Sequence, residues 1–204
     1  MPALLVVLCG PNGAGKSTFF EIMLKSRGFP FVNADMIAAE KFGTEAATHA
    51  LTAAKLADAE RRRLISEKTS FIMETVLSDS GGNKLAFFRD ARNAGYFLEV
   101  FFIGLDSPET SAARVRARAD SGGHDVPLDR INARYPRTLS NLRGLCDFAD
   151  SLTIFDNSSR RNPYRLVARL KNGGLVSLCD VPPAWTSTIR LEDRMNTLTE
   201  RFPL

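Results

Sequence analysis

The chain has 204 residues, 27 basic and 23 acidic side chains and a formal net charge of +4. That length supports a full hydrophobic core, and 44% hydrophobic with 25% charged residues excludes a disordered, collagenous or coiled-coil chain. The positive balance admits an anionic ligand but is too small to demand nucleic acid. Cys9, Cys146 and Cys179 are odd in number, far apart and without a C-x-x-C pair. They indicate neither a disulfide framework nor a zinc knuckle, but buried thiols in a reducing compartment.

The apolar run at residues 3–9 is stopped at once by Gly10 and Pro11. It is far shorter than a membrane span, no basic segment precedes it, and it reads as a buried parallel strand. No later segment reaches eighteen apolar residues, so a soluble, cytoplasmic protein is expected. A glycine-rich turn over residues 10–15 leads into a helix carrying Phe19, Phe20, Ile22, Met23 and Leu24, ended by Gly28 and Pro30. A short strand at 31–33 delivers Asp35. Residues 45–67 are rich in strong helix formers, and 70–75 is another buried strand.

Residues 83–94 form the next predicted helix, with Gly95 as its C-terminal cap, followed by a strand at 97–105. Ser107 before Pro108 starts a further helix. Gly122 and Gly123 interrupt the chain before His124. A helix over 128–148, with a kink at Pro136, and a strand over 151–155 follow. Residues 165–170 and 175–179 suit a hairpin around Asn172-Gly173-Gly174. In the tail, Leu191, Met195, Leu198 and Phe202 fall on one face of a predicted helix that packs on the sheet or docks a partner.

Alternating strands and helices define an α/β fold, a mostly parallel sheet with helices on both faces. A small C-terminal β edge and a helical tail complete it. One domain over 1–204 is expected, with its catalytic unit over about 1–158 and the edge and tail over 159–204.

Gly10-Pro11-Asn12-Gly13-Ala14-Gly15-Lys16-Ser17 matches G-x-x-x-x-G-K-[ST] in full, between a strand and a helix. Its glycines let backbone N–H groups converge on an anion, and the helix N-terminus adds its positive dipole end. Lys16 is expected to reach the terminal phosphates of a nucleoside triphosphate. The Ser17 hydroxyl is expected to help hold Mg²⁺, and Thr18 completes the loop set. The chain lacks a transporter-type signature, a strand ending in Asp-Glu and a guanine-reading N-K-x-D.

Asp35, nineteen positions after Lys16, stands where the second strand meets the ligand crevice of an open α/β sheet. A carboxylate there either deprotonates an acceptor hydroxyl or helps hold the metal through water, and the same residue is placed to cap the helix at Met36. Glu74, with Thr75 beside it, ends the next strand and is a candidate contact for a polar substrate. Arg114 and Arg118 share a helix face, as do Arg130, Arg134 and Arg137. The two sets, hinged at Gly122-Gly123, suit a lid over the transferring phosphoryl group. Arg61-Arg62-Arg63 and Arg160-Arg161 read as solvent-facing, and His49 as a surface helix residue.

The string 10–18, Asn33-Ala34-Asp35, Phe71-Ile72-Met73-Glu74-Thr75, Arg114 to Arg118, Gly122-Gly123-His124-Asp125-Val126-Pro127, Ile131 to Tyr135 and Asp156-Asn157-Ser158 resembles the short form of the zeta-toxin-like small P-loop kinases. The resemblance spans about residues 3–158. It implies phosphorylation of a UDP-activated amino sugar such as UDP-N-acetylglucosamine by ATP and Mg²⁺. Asp35 would be the base, Glu74 and Thr75 substrate contacts, and Lys16 and Ser17 the phosphate and metal positions. Arg118 matches one γ-phosphate arginine; where the longer toxins carry the second, this chain has Gly122-Gly123-His124, and Arg134 stands in for it. The resemblance also raises an antitoxin protein as partner. Two other functions fit the residues: a P-loop kinase for another hydroxylated metabolite, and an NTP-binding regulatory module without transfer.

Overall fold

The computed structural model describes residues 2–120, 126–197 and 199–202. The predicted lid hinge Gly122-Gly123, His124 and Leu198 lie outside the described residues. Eight strands form one sheet in the order β2-β3-β1-β4-β5-β6-β7-β8. The five at one side, β1 (Leu4–Cys9), β2 (Phe31–Val32), β3 (Phe71–Thr75), β4 (Phe97–Gly104) and β5 (Ser151–Asp156), pair in parallel. Helices cover both faces, the α/β arrangement expected from alternating strands and helices. β1 shows why its sequence is a continuous apolar run. It lies between β3 and β4, and Leu5, Val6, Val7, Leu8 and Cys9 are fully buried.

β6 (Arg165–Lys171) and β7 (Gly174–Cys179) form the predicted antiparallel hairpin and extend the sheet beyond β5. Asn172 and Gly173 both have positive φ, 48° and 81°, as a two-residue turn matched to the sheet twist requires. The tail departs from the expected helix. It makes two 3₁₀ segments, Ala184–Ile189 and Leu191–Thr197, and then β8 (Glu200–Phe202), which runs parallel to β7. Backbone pairing with an open sheet edge satisfies its N–H and C=O groups better than an isolated helical turn would. Leu191 is buried and Met195 packs against the main core, so the tail's apolar residues do face the sheet.

The segment after the phosphate loop is helical from Lys16 to Arg27 but not uniformly α. α1 (Lys16–Phe19) continues as a π turn (Phe20–Leu24) and a 3₁₀ turn (Lys25–Arg27). Phe19, Phe20 and Leu24 are buried, while Ile22 and Met23 are exposed. α3 (Ala50–Ser66) starts later than predicted, because a separate helix, α2 (Ala34–Phe42), and a 3₁₀ turn precede it. α4 (Asn83–Asn93), α5 (Pro108–Asp120) and α6 (Leu128–Cys146) fall where the sequence placed them. Ser107 caps α5, its Oγ accepting the Thr110 N–H at 3.1 Å. Pro136 lies inside α6. Among the described residues no helix is long and apolar enough to cross a membrane.

Candidate active site

The strand order changes direction at β1, with β3 on one side and β4 on the other, and a crevice opens at the carboxyl ends of these strands. Register decides what stands there. Leu8 pairs with Glu74 and Cys9 with Thr75, so both residues lie level with the last residues before Gly10. Val32 pairs with Met73, which sets Asn33 beside Glu74. The Asn33 amide donates to Glu74 Oε2 at 2.9 Å, and Lys16 Nζ lies 3.7 Å from Glu74 Oε1. Lys16, largely buried, also donates to the carbonyls of Gly10 and Pro11 at 3.0 and 3.1 Å.

The phosphate loop is held from behind by three side chains from remote parts of the chain. Ser111 Oγ donates to the Asn12 carbonyl at 2.6 Å, Asn157 Nδ2 to the Ala14 carbonyl at 2.8 Å, and the Tyr164 hydroxyl to the Gly15 carbonyl at 2.8 Å. With these carbonyls engaged, the loop's N–H groups are left to face an anion. Gly15 has φ +90°, and a Cβ there would lie 2.8 Å from both Asn157 Nδ2 and the Tyr164 hydroxyl. Gly10 approaches β4 so closely that a Cβ would meet the Ile103 carbonyl at 2.1 Å. No side chain caps α1 at Gly15, so its first N–H groups remain available to a ligand. The motif pointed to the loop; Ser111 and Tyr164 carried no signal of their own, and Asn157 stood only in the family string.

Asn12, Gly13, Lys16 and Ser17 line a cleft of about 1040 Å³ together with Asn33, Asp35, Glu74, Thr75, Arg118, Arg130, Arg134 and Arg137. Gly10, Pro11, Ala14 and Gly15 form the turn behind this wall, and Thr18 contacts Tyr164 on the other side. The cap of α2 is Asn33, whose Oδ1 accepts the N–H groups of Asp35 and Met36 at 2.8 and 3.2 Å. Asp35 is therefore not the cap that its position suggested, and its carboxylate is left for the cleft.

α6 carries the arginines. Its buried face, with Ile131, Tyr135, Thr138 and Leu139, is anchored by the Tyr135 hydroxyl on the Leu105 carbonyl at 2.7 Å. Thr138 and Asn141 hold the carbonyls of Val76, Leu77 and Asp79, the segment that follows β3. Arg130, Arg134 and Arg137, spaced four and three apart, face the cleft. Burial and the charge of Arg130 lower the Arg134 guanidinium from its ordinary value, Asp35 opposes them and Arg137 adds to them. Arg134 and Asp35 both line this opening. Arg114, expected around the crevice, instead donates to the Ser158 carbonyl at 3.0 Å, beside the strap that carries Asn157.

Arg61 also departs from the sequence expectation. Arg61 is buried, pairs with Asp58 and lines the cleft, because it occupies the inward stripe of α3 with Ala53, Ala57 and Leu64. Arg62 and Arg63 are exposed as expected, Arg63 between Glu60 and Glu67. His49 stacks on Phe42 at the surface.

Among the described residues no group of three or more His, Cys, Asp or Glu gathers as a metal cage. The donor set suits Mg²⁺, which takes few protein ligands and completes its shell with phosphate and water oxygens. Ser17, at the head of α1 and on the cleft wall, could supply the one protein oxygen that such an ion needs.

A strand, a glycine-rich anion loop and a helix N-terminus, with Lys16 reaching back across the loop, define a P-loop nucleotide-binding protein. Residues 5–136 match the family described as the AAA domain, and the chain belongs to that family of P-loop NTPases. It is 28% identical over 130 residues to an uncharacterized protein of Haemophilus influenzae, covering 64% of this chain and 91% of that one. The fold resembles the AvrRxo1-ORF1:-ORF2 complex with ATP (TM-score 0.67, 19% identity, 85% of this chain). It also resembles the PezAT chromosomal toxin-antitoxin system of Streptococcus pneumoniae (TM-score 0.61, 18% identity, 96% of this chain and 86% of that one). The chain spans about 60% of the AvrRxo1 chain that it matches. The P-loop class that the sequence string indicated is the one that the family match shows.

Proposed function

We propose that this protein is an ATP- and Mg²⁺-dependent kinase that phosphorylates a hydroxyl group of a UDP-activated amino sugar such as UDP-N-acetylglucosamine. The observation that carries the proposal is the meeting of a phosphate loop, an uncapping carboxylate and a row of arginines on one cleft, with Glu74 and Asn33 between them. Asp35 takes the proton from the acceptor hydroxyl as the new O–P bond forms and the bond to the ADP leaving group breaks. Lys16 and the loop N–H groups orient the phosphates. Arg118 and Arg134 offset the charge that spreads over the phosphoryl oxygens. Glu74 and Thr75 hold the acceptor. Ser17 would hold Mg²⁺, which would neutralise phosphate charge. Little covalent work is asked of the protein, so positioning and electrostatics account for the rate.

The resemblance of the fold to the PezAT toxin-antitoxin system supports a protein antitoxin as partner. The deciding experiment is mass spectrometry of products from ATP, Mg²⁺ and a panel of UDP-sugars and free sugars. A monophosphorylated UDP-amino sugar is the expected product. Transfer only to a different metabolite would replace the acceptor, and slow hydrolysis with no phosphorylated product across the panel would favour a regulatory NTP-binding module.

A further inference from the structure

Asn33 uses both ends of its side chain. Its Oδ1 accepts the Asp35 and Met36 N–H groups at 2.8 and 3.2 Å, which pins the side-chain amide at the head of α2. Its Nδ2 donates to Glu74 Oε2 at 2.9 Å, a contact that the pairing of Val32 with Met73 brings about. The residue is only 8% exposed, so these bonds are largely kept from water and the stronger for it.

What the Asn33 amide restrains is an ion pair. The Lys16 and Glu74 side chains are 7% and 13% exposed, and at such burial opposite charges attract far more than in water. An unrestrained lysine–carboxylate pair closes to a charge-assisted hydrogen bond of about 2.7–2.9 Å. Here Lys16 Nζ and Glu74 Oε1 stay 3.7 Å apart, beyond hydrogen-bond reach. Two of the three Lys16 donors go to the Gly10 and Pro11 carbonyls at 3.0 and 3.1 Å. Glu74 is held from its other side, by the Asn33 amide on Oε2. The third Lys16 donor and Glu74 Oε1 are therefore not spent on each other, and both residues line the cleft.

We infer that Asn33 is a positioning residue for nucleotide binding: its amide holds Glu74 back from Lys16, so that the phosphate-loop lysine keeps one donor for a phosphate oxygen. Without that amide, Glu74 closes on Lys16 and competes with the nucleotide. The inference deepens the kinase reading at its nucleotide end. It rests on that reading only in leaving Glu74 Oε1 to an acceptor hydroxyl, and a nucleotide-binding protein without transfer would need the same spacing.

The test is calorimetric titration of the full chain with a non-hydrolysable ATP analogue and Mg²⁺. Asn33→Ser keeps an oxygen to cap α2 and removes the amide. It should weaken binding of the analogue by about 10-fold. Glu74→Gln removes the competing charge and should bind the analogue at least as tightly as the parent. The double variant Asn33→Ser/Glu74→Gln should then match Glu74→Gln, because no carboxylate is left to hold back. A merely structural role for Asn33 gives the opposite pattern, a loss of the same size in both backgrounds. Asn33→Thr, which also caps and suits the extended backbone here (φ −130°, ψ 122°), takes the place of the serine variant should that one not fold.

Parent affinity in the Asn33 variants, a loss that persists with Glu74→Gln, or weakened binding in Glu74→Gln alone would each overturn the inference. Product analysis on the parent keeps the two readings apart. Suppression by Glu74→Gln with no phosphorylated product leaves the positioning role and removes the acceptor reading. A phosphorylated UDP-sugar together with parent-like Asn33 variants does the reverse.

Discussion

Asp35 shows how a neighbour decides what a side chain is for. Because Asn33 Oδ1 already takes the first N–H groups of α2, the Asp35 carboxylate is not spent on the helix. If it is the base, Asp35→Asn should lower turnover by about 10²- to 10⁴-fold while leaving nucleotide affinity near the parent value. Transfer at the parent rate in that variant would remove Asp35 from the chemistry. Gly15 supplies a second case. Its φ of +90° and the polar atoms 2.8 Å from any Cβ mean that Gly15→Ala should displace Asn157 and Tyr164 and abolish nucleotide binding in calorimetry. Gly28→Ala is its control. With φ +68° and nothing within 4 Å, it should cost only about 1 kcal/mol of backbone strain and leave binding intact.

At the scale of elements, the C-terminal edge serves the nucleotide end of the molecule. Asn157 follows β5, Tyr164 precedes β6, and both hold the phosphate loop. Asp156 accepts a bond from Trp185 Nε1 at 3.2 Å and from Ser158 Oγ at 2.5 Å, and pairs with Arg165. Trp185, in the first 3₁₀ segment of the tail, packs on Phe102 and covers Gly104, where an added Cβ would meet its ring at 2.3 Å. Trp185→Ala should therefore cost about 3–5 kcal/mol in denaturant unfolding and also weaken ATP binding, since it loosens the strap behind the loop. A large loss of stability with unchanged ATP affinity in the remaining folded protein would separate the tail from the site.

Across the whole molecule one core cluster runs from β1 to the tail, taking in Val167, Leu175, Trp185 and Ile189 with Leu5 and Phe71. All three cysteines lie buried. Burial raises the thiols of Cys9 and Cys179 and pushes Cys146 up to about 12. The folded thiols stay protonated where unfolded ones ionise. Stability is thus undiminished below the ordinary thiol value of about 9 and falls as pH rises from there toward about 12. Denaturation midpoints measured across that range should decline. At pH 8 a thiol reagent should modify no cysteine in the native protein and all 3 after unfolding. Rapid labelling of the native chain would contradict the burial of these thiols.

The sequence by itself determined the strand-loop-helix phosphate site, because a glycine-rich anion loop needs its residues consecutive. Local rules also sufficed for most strands, for α4 to α6 and for the β6–β7 turn. Asp35, Glu74 and Thr75 were legible because parallel strands end at the same edge of the sheet. Only the tertiary structure decided which neighbours complete the site. Ser111, Asn157 and Tyr164 reach the loop from 99 to 149 residues away, a distance over which no periodicity carries information. Arg61 looked like one of three solvated arginines, and only the packing of α3 turned it inward while Arg62 and Arg63 stayed in water. The tail's apolar spacing fits a helix, yet an unpaired edge of β7 was there to take it as a strand. In each case, burial and hydrogen-bond satisfaction across the fold outweighed a local preference worth less than either.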